Sequence, residues 1–514
     1  MERGRESSAA HGGICGSQNA LYDPQKYLWD MGDPERSDPA GRRGLRQGGG
    51  EMSAGAGGEF AIDPATVREW KRYPAYKDSG VEWLGEVPAG WEVSSIKRHF
   101  LVQLGKMLQS EPSDPGDKLM PYLRAANISW EKILVDDIKE MWFSESEKER
   151  YRIENGDLLV SEGGDVGRAT LWNGELDECY IQNAINRVRS RNGALTSHLH
   201  YWLYFLKHVD YIDMLCNKAT IAHYTAEKVM NTVYFRPPLP EQHAIAAFLD
   251  RETARLDALI AKKQRFIELL EEKRQALITQ AVTKGLDPDA DMKDSGVEWL
   301  GEVPGHWDIW QIGHFARVGN GSTPSRSNAA YWINGIYPWL NSSCVNHGLI
   351  RGSNQFVTKK ALEECHLPCV PPGSILVAIT GQGKTRGTAA ILDIKATINQ
   401  HLAFVTPEQN IVSPEYLQLI FTAAYRELRR ISDDTGSTKG ALTCEDISHF
   451  KVALPPLKEQ EWLITTILSK LQSIAMVITS NQRQISLLYE YRTALISAAV
   501  TGNIDVRSEA PATP

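Results

Sequence analysis

The chain has 514 residues, 42% of them apolar, a formal net charge of −8 and a pI near 6.0. That length predicts three or four domains with ordinary globular cores, and the acidic balance argues against a chain that coats nucleic acid indiscriminately, while leaving room for a local basic face. The seven cysteines are odd in number and scattered, against a disulfide framework, and no apolar run of membrane-span length and no signal-peptide core is legible, so a soluble, cytoplasmic protein is expected.

Residues 1–62 are rich in Gly, Ser and Arg with few periodic apolar positions, the composition of a disordered N-terminal extension, and Met52 is an alternative start. A first globular unit is predicted over 63–236. Its strands are short, as at Asp157-Leu158-Leu159-Val160 and Asn186-Arg187-Val188-Arg189, with turn residues such as Glu162-Gly163-Gly164-Asp165 between them. Leu199 to Leu215 reads as an apolar-aromatic helix. A charged helical segment follows over 237–290. A second globular unit over 291–453 keeps the same order: Gly373 to Val377 answers Gly156 to Val160, and Tyr416 to Leu428 answers the helix. A second helical segment occupies 454–507, and 508–514 is a tail.

The order is duplicated in the residues themselves. Lys77 to Pro88 and Lys293 to Pro304 both read KDSGVEWLGEVP, and Pro238-Leu239-Pro240-Glu241-Gln242 is answered by Pro456-Leu457-Lys458-Glu459-Gln460. The period, about 217 residues, lies far above that of solenoid repeats. In the first helical segment Leu249, Leu256, Lys263, Leu270 and Leu277 fall every seven residues; in the second, Ile467, Ile474, Asn481, Leu488 and Leu495 do. Leu259 and Phe266, with Val477 and Tyr491, are the expected companions in this heptad seam. The polar rung, Lys263 and Asn481, falls at the same place in both ladders and is read as a register-setting pair. Each helix, about 40 residues, would be roughly 60 Å long. The expected fold is α+β: two tandem globular α/β domains separated by two long helices that pair as an antiparallel coiled coil, with internal pseudo-twofold symmetry. Such a molecule suits a bipartite partner, DNA foremost.

Gly381-Gln382-Gly383-Lys384-Thr385 has the tail of a phosphate-binding loop, but the required glycine is replaced by Ala378. Like Gly163 to Arg168, it is a glycine turn carrying cations (Arg168; Lys384 and Arg386) whose backbone can approach phosphate, or else a plain hairpin turn. Gln182, Asn183, Asn186 and Arg187 in the first unit, and Asn399, Gln400 and His401 in the second, are of types that bond base edges, although amides are also common in turns. His223, Tyr224, Ser437, Thr438 and Lys439 stand before the last strand of each unit, and Arg124, Asn127, Ser322 and Thr323 complete the candidate DNA contacts. Catalytic, cofactor and metal sites are not expected: there is no amino-methylation tetrapeptide, no complete P-loop, no nucleophile elbow, and Cys365-His366 with Cys369 lacks a second ligand pair.

On Lys77 to Trp91, Lys293 to Trp307, the Gly321-Ser322-Thr323-Pro324 turn, the two helix openings and the paired heptads, residues 64–507 resemble the specificity subunit of a type I restriction–modification system. Gly105-Lys106-Met107-Leu108 stands where the first copy should match Gly321 to Pro324. The resemblance implies two target recognition domains, each reading half of a split double-stranded DNA site. It also implies helices that act as a ruler and dock two methyltransferase subunits. S-adenosylmethionine, ATP and Mg would be used on the modification and restriction subunits, and none on this chain. The competing readings are a coiled-coil scaffold whose globular ends bind protein and a self-sufficient DNA methyltransferase or nuclease.

Overall fold

The computed structural model describes residues 70–216, 222–381, 384–434 and 440–509. The predicted extension over 1–62 therefore lies outside the described residues, as do Gln382, Ser437, Thr438 and Lys439. Two compact units divide the chain: one runs up to Ile260 and resumes at Ile485, and the other is Ala261–Gln484.

In the first unit a hairpin joins β1 (Tyr76–Asp78) to β2 (Glu86–Pro88), followed by β3 (Glu92–Ser95) and β4 (Phe100–Leu104). Then come β5 (Lys118–Leu123), β6 (Lys139–Phe143), β7 (Leu158–Ser161), β8 (Ala169–Leu171), β9 (Tyr180–Ile181), β10 (Ile185–Ser190) and, after α1 (Thr196–His208), β11 (Val233–Arg236). An antiparallel sheet has the order β4-β10-β7-β8, and a three-stranded sheet has the order β6-β5-β9 with β5 and β9 parallel. The helix expected over 199–215 breaks after α1, because Asp210 takes a positive φ of 58° that no α-helix accommodates. The first long helix, α2, is Leu239–Thr283.

The second unit repeats the plan. β12 (Met292–Asp294) pairs with β13 (Glu302–Pro304), then come β14 (Asp308–Gln311), β15 (Ala316–Asn320), β16 (Tyr337–Leu340), β17 (Leu349–Ile350) and β18 (Phe356–Val357). β19 (Ile375–Ala378), β20 (Ala389–Leu392), β21 (Thr397–Ile398), β22 (Leu402–Pro407), α3 (Pro414–Ala423), β23 (Lys451–Leu454) and the second long helix α4 (Leu457–Val500) complete it. The sheets run β15-β22-β19-β20-β17 and β18-β16-β21, the latter with β16 parallel to β21, so the unit adds one edge strand to the first unit's plan.

The repeated string folds identically in both copies. Tyr76 pairs with Pro88 as Met292 pairs with Pro304, and Asp78 and Asp294 each accept the amide two residues on (Gly80, Gly296) at 2.9 Å. Three residues after the string stands a tryptophan, Trp91 or Trp307, fully buried in both units. Each indole donates to the glutamate of a helix opening: Trp91 to Glu241 at 2.9 Å and Trp307 to Glu459 at 3.0 Å. The glutamines beside them, Gln242 and Gln460, are also fully buried and hydrogen-bonded to the backbone of their own units.

Both long helices enter both cores. The first core takes Ile245, Phe248 and Leu249 from α2 with Leu495, Ile496 and Ala499 from α4. The second takes Ile278, Ala281 and Val282 with Leu463 and Ile467. In the second unit Lys263 Nζ donates to Asn481 Oδ1 at 3.2 Å and to Gln484. The expected companions Leu259, Phe266 and Val477 are not covered: they are 38%, 45% and 41% exposed. A helix packed along one stripe leaves the residues beside that stripe in solvent. By length and composition over an 18-residue window, α4 is also long and apolar enough to cross a membrane, which was not legible in the sequence.

His198 lies fully buried in α1, 2.9 Å from the Tyr234 hydroxyl, and burial pushes its pKa down to about 3. The folded imidazole stays neutral while the unfolded chain takes up a proton below about pH 6.5. Stability is therefore complete above that pH and falls by about 1.4 kcal/mol per pH unit as pH drops towards 3. His198→Gln is expected to flatten this acid slope by that amount, read from urea unfolding at pH 7, 6 and 5.

Candidate nucleic-acid interface

In each unit the parallel strand pair brings three chain segments to one edge. In the first, Lys106 N donates to Ile181 O at 2.9 Å and Asn183 N to Lys106 O at 2.8 Å, while Glu162 N reaches Ala184 O and Tyr224 N reaches Glu162 O, both at 2.9 Å. In the second, Ser322 N donates to Ile398 O and Ile379 N to His401 O, both at 3.1 Å, and Leu442 N to Ile379 O at 2.9 Å. The glycine before each crossing has no room for a side chain. A Cβ on Gly105 would collide with the Gln182 carbonyl, and one on Gly321 with the Ile398 carbonyl. The first copy thus keeps the backbone of the Gly321 turn although only its glycine matches.

The second unit offers a connected polar surface there. Thr323 Oγ1 donates to Gln400 Oε1 at 2.5 Å, Gln400 Nε2 lies 3.3 Å from His401 Nε2, and His401 Nδ1 lies 2.8 Å from Thr380 Oγ1. Gln400 and His401 are exposed, as is Lys384 on the glycine loop beyond β19, while Ser322 is half-buried and donates to Cys365 O at 3.2 Å. In the first unit Gln182 and Asn183 are half-buried beside Lys106, and His223 is exposed, 3.9 Å from Glu162.

Other candidates serve the fold. Asn127 is buried, donating to Leu134 O at 2.8 Å and accepting from Arg124 N at 2.9 Å; Arg124 in turn binds the Asp137 carboxylate at 2.6 Å. Asn186 is fully buried, donating to Tyr224 O at 3.0 Å, and Tyr224 is itself fully buried with its hydroxyl on Thr232 at 2.7 Å. Arg386 is buried, holding Gly440 O at 2.5 Å and the Asp433 carboxylate. Asn399 is buried and accepts from His401 N at 3.0 Å, which orients the loop carrying Gln400 and His401. Asn127, Asn186, Tyr224, Arg386 and Asn399 are buried side chains whose hydrogen bonds hold the fold, and exposing them to DNA would break those bonds. Arg168 and Arg187 are half-buried and bond the carbonyls of Ala125 and Arg152; desolvation lowers the Arg187 pKa.

Three further residues at these edges were not among the sequence candidates for DNA contact. Lys106 is buried in an ion pair with Glu147, its ammonium also on Trp142 O at 2.8 Å. Burial raises the pKa of Glu162, with His223 opposing the shift. The Arg326 guanidinium lies 3.9 Å over Trp332 and 4.9 Å over Trp339, with Nη2 on Gln355 at 2.7 Å. Among the described residues no group of three or more His, Cys, Asp or Glu could hold a metal ion.

The family model described as the type I restriction modification DNA specificity domain matches the chain twice, at residues 88–269 and 304–487. The chain is 23% identical over 445 residues to a putative type I restriction enzyme MjaX specificity subunit of Methanocaldococcus jannaschii, covering 83% of this chain and 96% of that protein. It is 25% identical over 314 residues to the type I restriction enzyme EcoR124I/EcoR124II specificity subunit of Escherichia coli, covering 59% and 71%. A solved chain of a type I R-M system superposes with a TM-score of 0.63 at 17% identity, over 81% of this chain and 99% of that one.

Proposed function

The chain belongs to the type I restriction modification DNA specificity domain family, and from that premise we propose that it is the non-catalytic, sequence-reading subunit of a type I restriction–modification complex. Each unit reads one half of a split double-stranded DNA site. α2 and α4 pair as an antiparallel coiled coil, set the gap between the halves and dock two modification subunits, with restriction subunits completing the complex. S-adenosylmethionine, ATP and Mg belong to those partners. The observation that carries this reading is the double family match onto two units built to one plan with different polar edges. The exposed apolar residues Phe266, Leu269, Leu468, Met476 and Val477 of the long helices support protein docking, since such a surface on a helix invites a covering partner.

The test is to map methylated bases in the native host with and without this gene. Loss of a single split motif of fixed gap supports the proposal; an unchanged methylome in a host whose modification subunit is active overturns it. At residue level, the Gln400→Ala, His401→Ala double variant is expected to keep its melting temperature. It should lose about 1–3 kcal/mol of discrimination at one half-site only, measured by competition binding with base-substituted duplexes at fixed salt. Asn399→Ala, by contrast, should lower the melting temperature.

A further inference from the structure

In the first unit the chain plugs its own helix opening. The Glu241 carboxylate takes the Trp91 indole at 2.9 Å and the Tyr73 hydroxyl. Tyr73 is buried, edge-on to Trp91 with ring centroids 5.8 Å apart, and the Arg507 guanidinium lies 4.9 Å over its ring. Trp70 stands edge-on to Phe248 of α2 at 5.2 Å, and Asp505 N holds Lys71 O at 2.7 Å. Residues 70–73 are thus seated as an aromatic and cationic plug.

The second unit has the same socket without the plug. The shared hairpin register, with Ala89 N on Ala75 O and Gly305 N on Asp291 O, makes Asp289 the counterpart of Tyr73, and Asp289 is exposed. Glu459 holds Trp307 at 3.0 Å, but its other oxygen meets His306 at 2.8 Å, and that imidazole is 54% exposed where the first unit has Gly90. Trp462, 49% exposed, stands where the first unit has the buried Ala244. A cleft of about 530 Å³ opens between Leu286, Pro304, His306, Glu459 and Trp462.

We infer that this cleft receives a tyrosine-bearing, cationic segment of a partner polypeptide, seated as residues 70–73 are seated in the first unit. Glu459 offers the acceptor for a phenol, the Trp462 face suits an aromatic or guanidinium group, and Pro304 and Leu286 supply the apolar wall. Asp287 on the rim and Asp289 beside it favour a cationic segment, with Lys284 the opposing charge. The inference does not depend on DNA reading.

The probe is a labelled peptide with the sequence of residues 70–76, Trp-Lys-Arg-Tyr-Pro-Ala-Tyr, titrated with the full chain by fluorescence anisotropy without DNA. Saturable binding is expected, weakened about tenfold by Trp462→Ala, a loss of about 1.4 kcal/mol, and weakened again when Phe replaces the tyrosine at the peptide's fourth position. Trp462 is half-exposed, so an unchanged melting temperature will show that the variant folds. Absence of saturable binding overturns the inference. So does binding indifferent to Trp462→Ala, which would mean exchange with the plug of the first unit.

Discussion

Gln460→Ala is expected to destabilise the second unit by about 3–5 kcal/mol, because three buried or part-buried backbone groups lose their partner at once and each such orphan costs about 1–3 kcal/mol. Gln460 is fully buried. Its amide donates to Pro455 O and Ile411 O, both at 2.9 Å, and its carbonyl accepts from Ser413 N at 3.0 Å. Ser413 caps α3, so one side chain ties the start of α4 to the helix packed beneath it. Gln242 does the same with fewer partners, Pro237 O at 2.8 Å and Leu195 N at 2.9 Å, and Gln242→Ala should cost less. Urea unfolding followed through tryptophan fluorescence measures both. A cost under about 1 kcal/mol for Gln460→Ala would mean that water replaces the side chain, and the staple would not exist.

This pairing shows where legibility in the sequence ends. Both repeated strings were visible, and so were their order and spacing. Their connection was not: the Trp91 indole and Glu241 are 150 positions apart, and Trp307 and Glu459 are 152 apart. A single chain carries no mark of which distant groups meet. The two long helices were legible because helical period is a local property. The exposure of Phe266 and Val477 was not, because it depends on how many helices pack there.

The candidate interface divides in the same way. Residue type pointed to Asn186 and Gln400 alike, but one lies fully buried in mid-strand and the other exposed at a turn. The turn at Asn399-Gln400-His401 is legible as amide-rich. That Asn399 caps the turn while its neighbours face outward follows only from the backbone geometry. Arg386 looked like a phosphate ligand because it follows a glycine loop, yet its carboxylate partner, Asp433, is 47 positions away. Lys106 was legible only as part of the segment that departs from the Gly321 turn, and its partner Glu147 lies 41 residues on.

Removing one heptad from each long helix is expected to move the DNA gap rather than abolish recognition. α2 spans 45 residues and α4 spans 44. Seven residues shorten a helix by about 10 Å, close to three base pairs at about 3.4 Å each. A whole heptad turns the helix face by only about 20°, so the seam is restored. Removal of residues 264–270 and of residues 474–480 would also keep the Lys263–Asn481 contact. Three base pairs rotate the far half-site by about 100° at about 10.5 base pairs per turn. The shortened protein should therefore bind its re-spaced site more weakly than the parent binds its own, with both half-site sequences unchanged. A four-residue deletion breaks the seam and should unfold the pairing instead. The measurement is selection from duplexes carrying the two half-sites at every gap length, and an optimum that stays at the parental gap would remove the helices from the role of ruler.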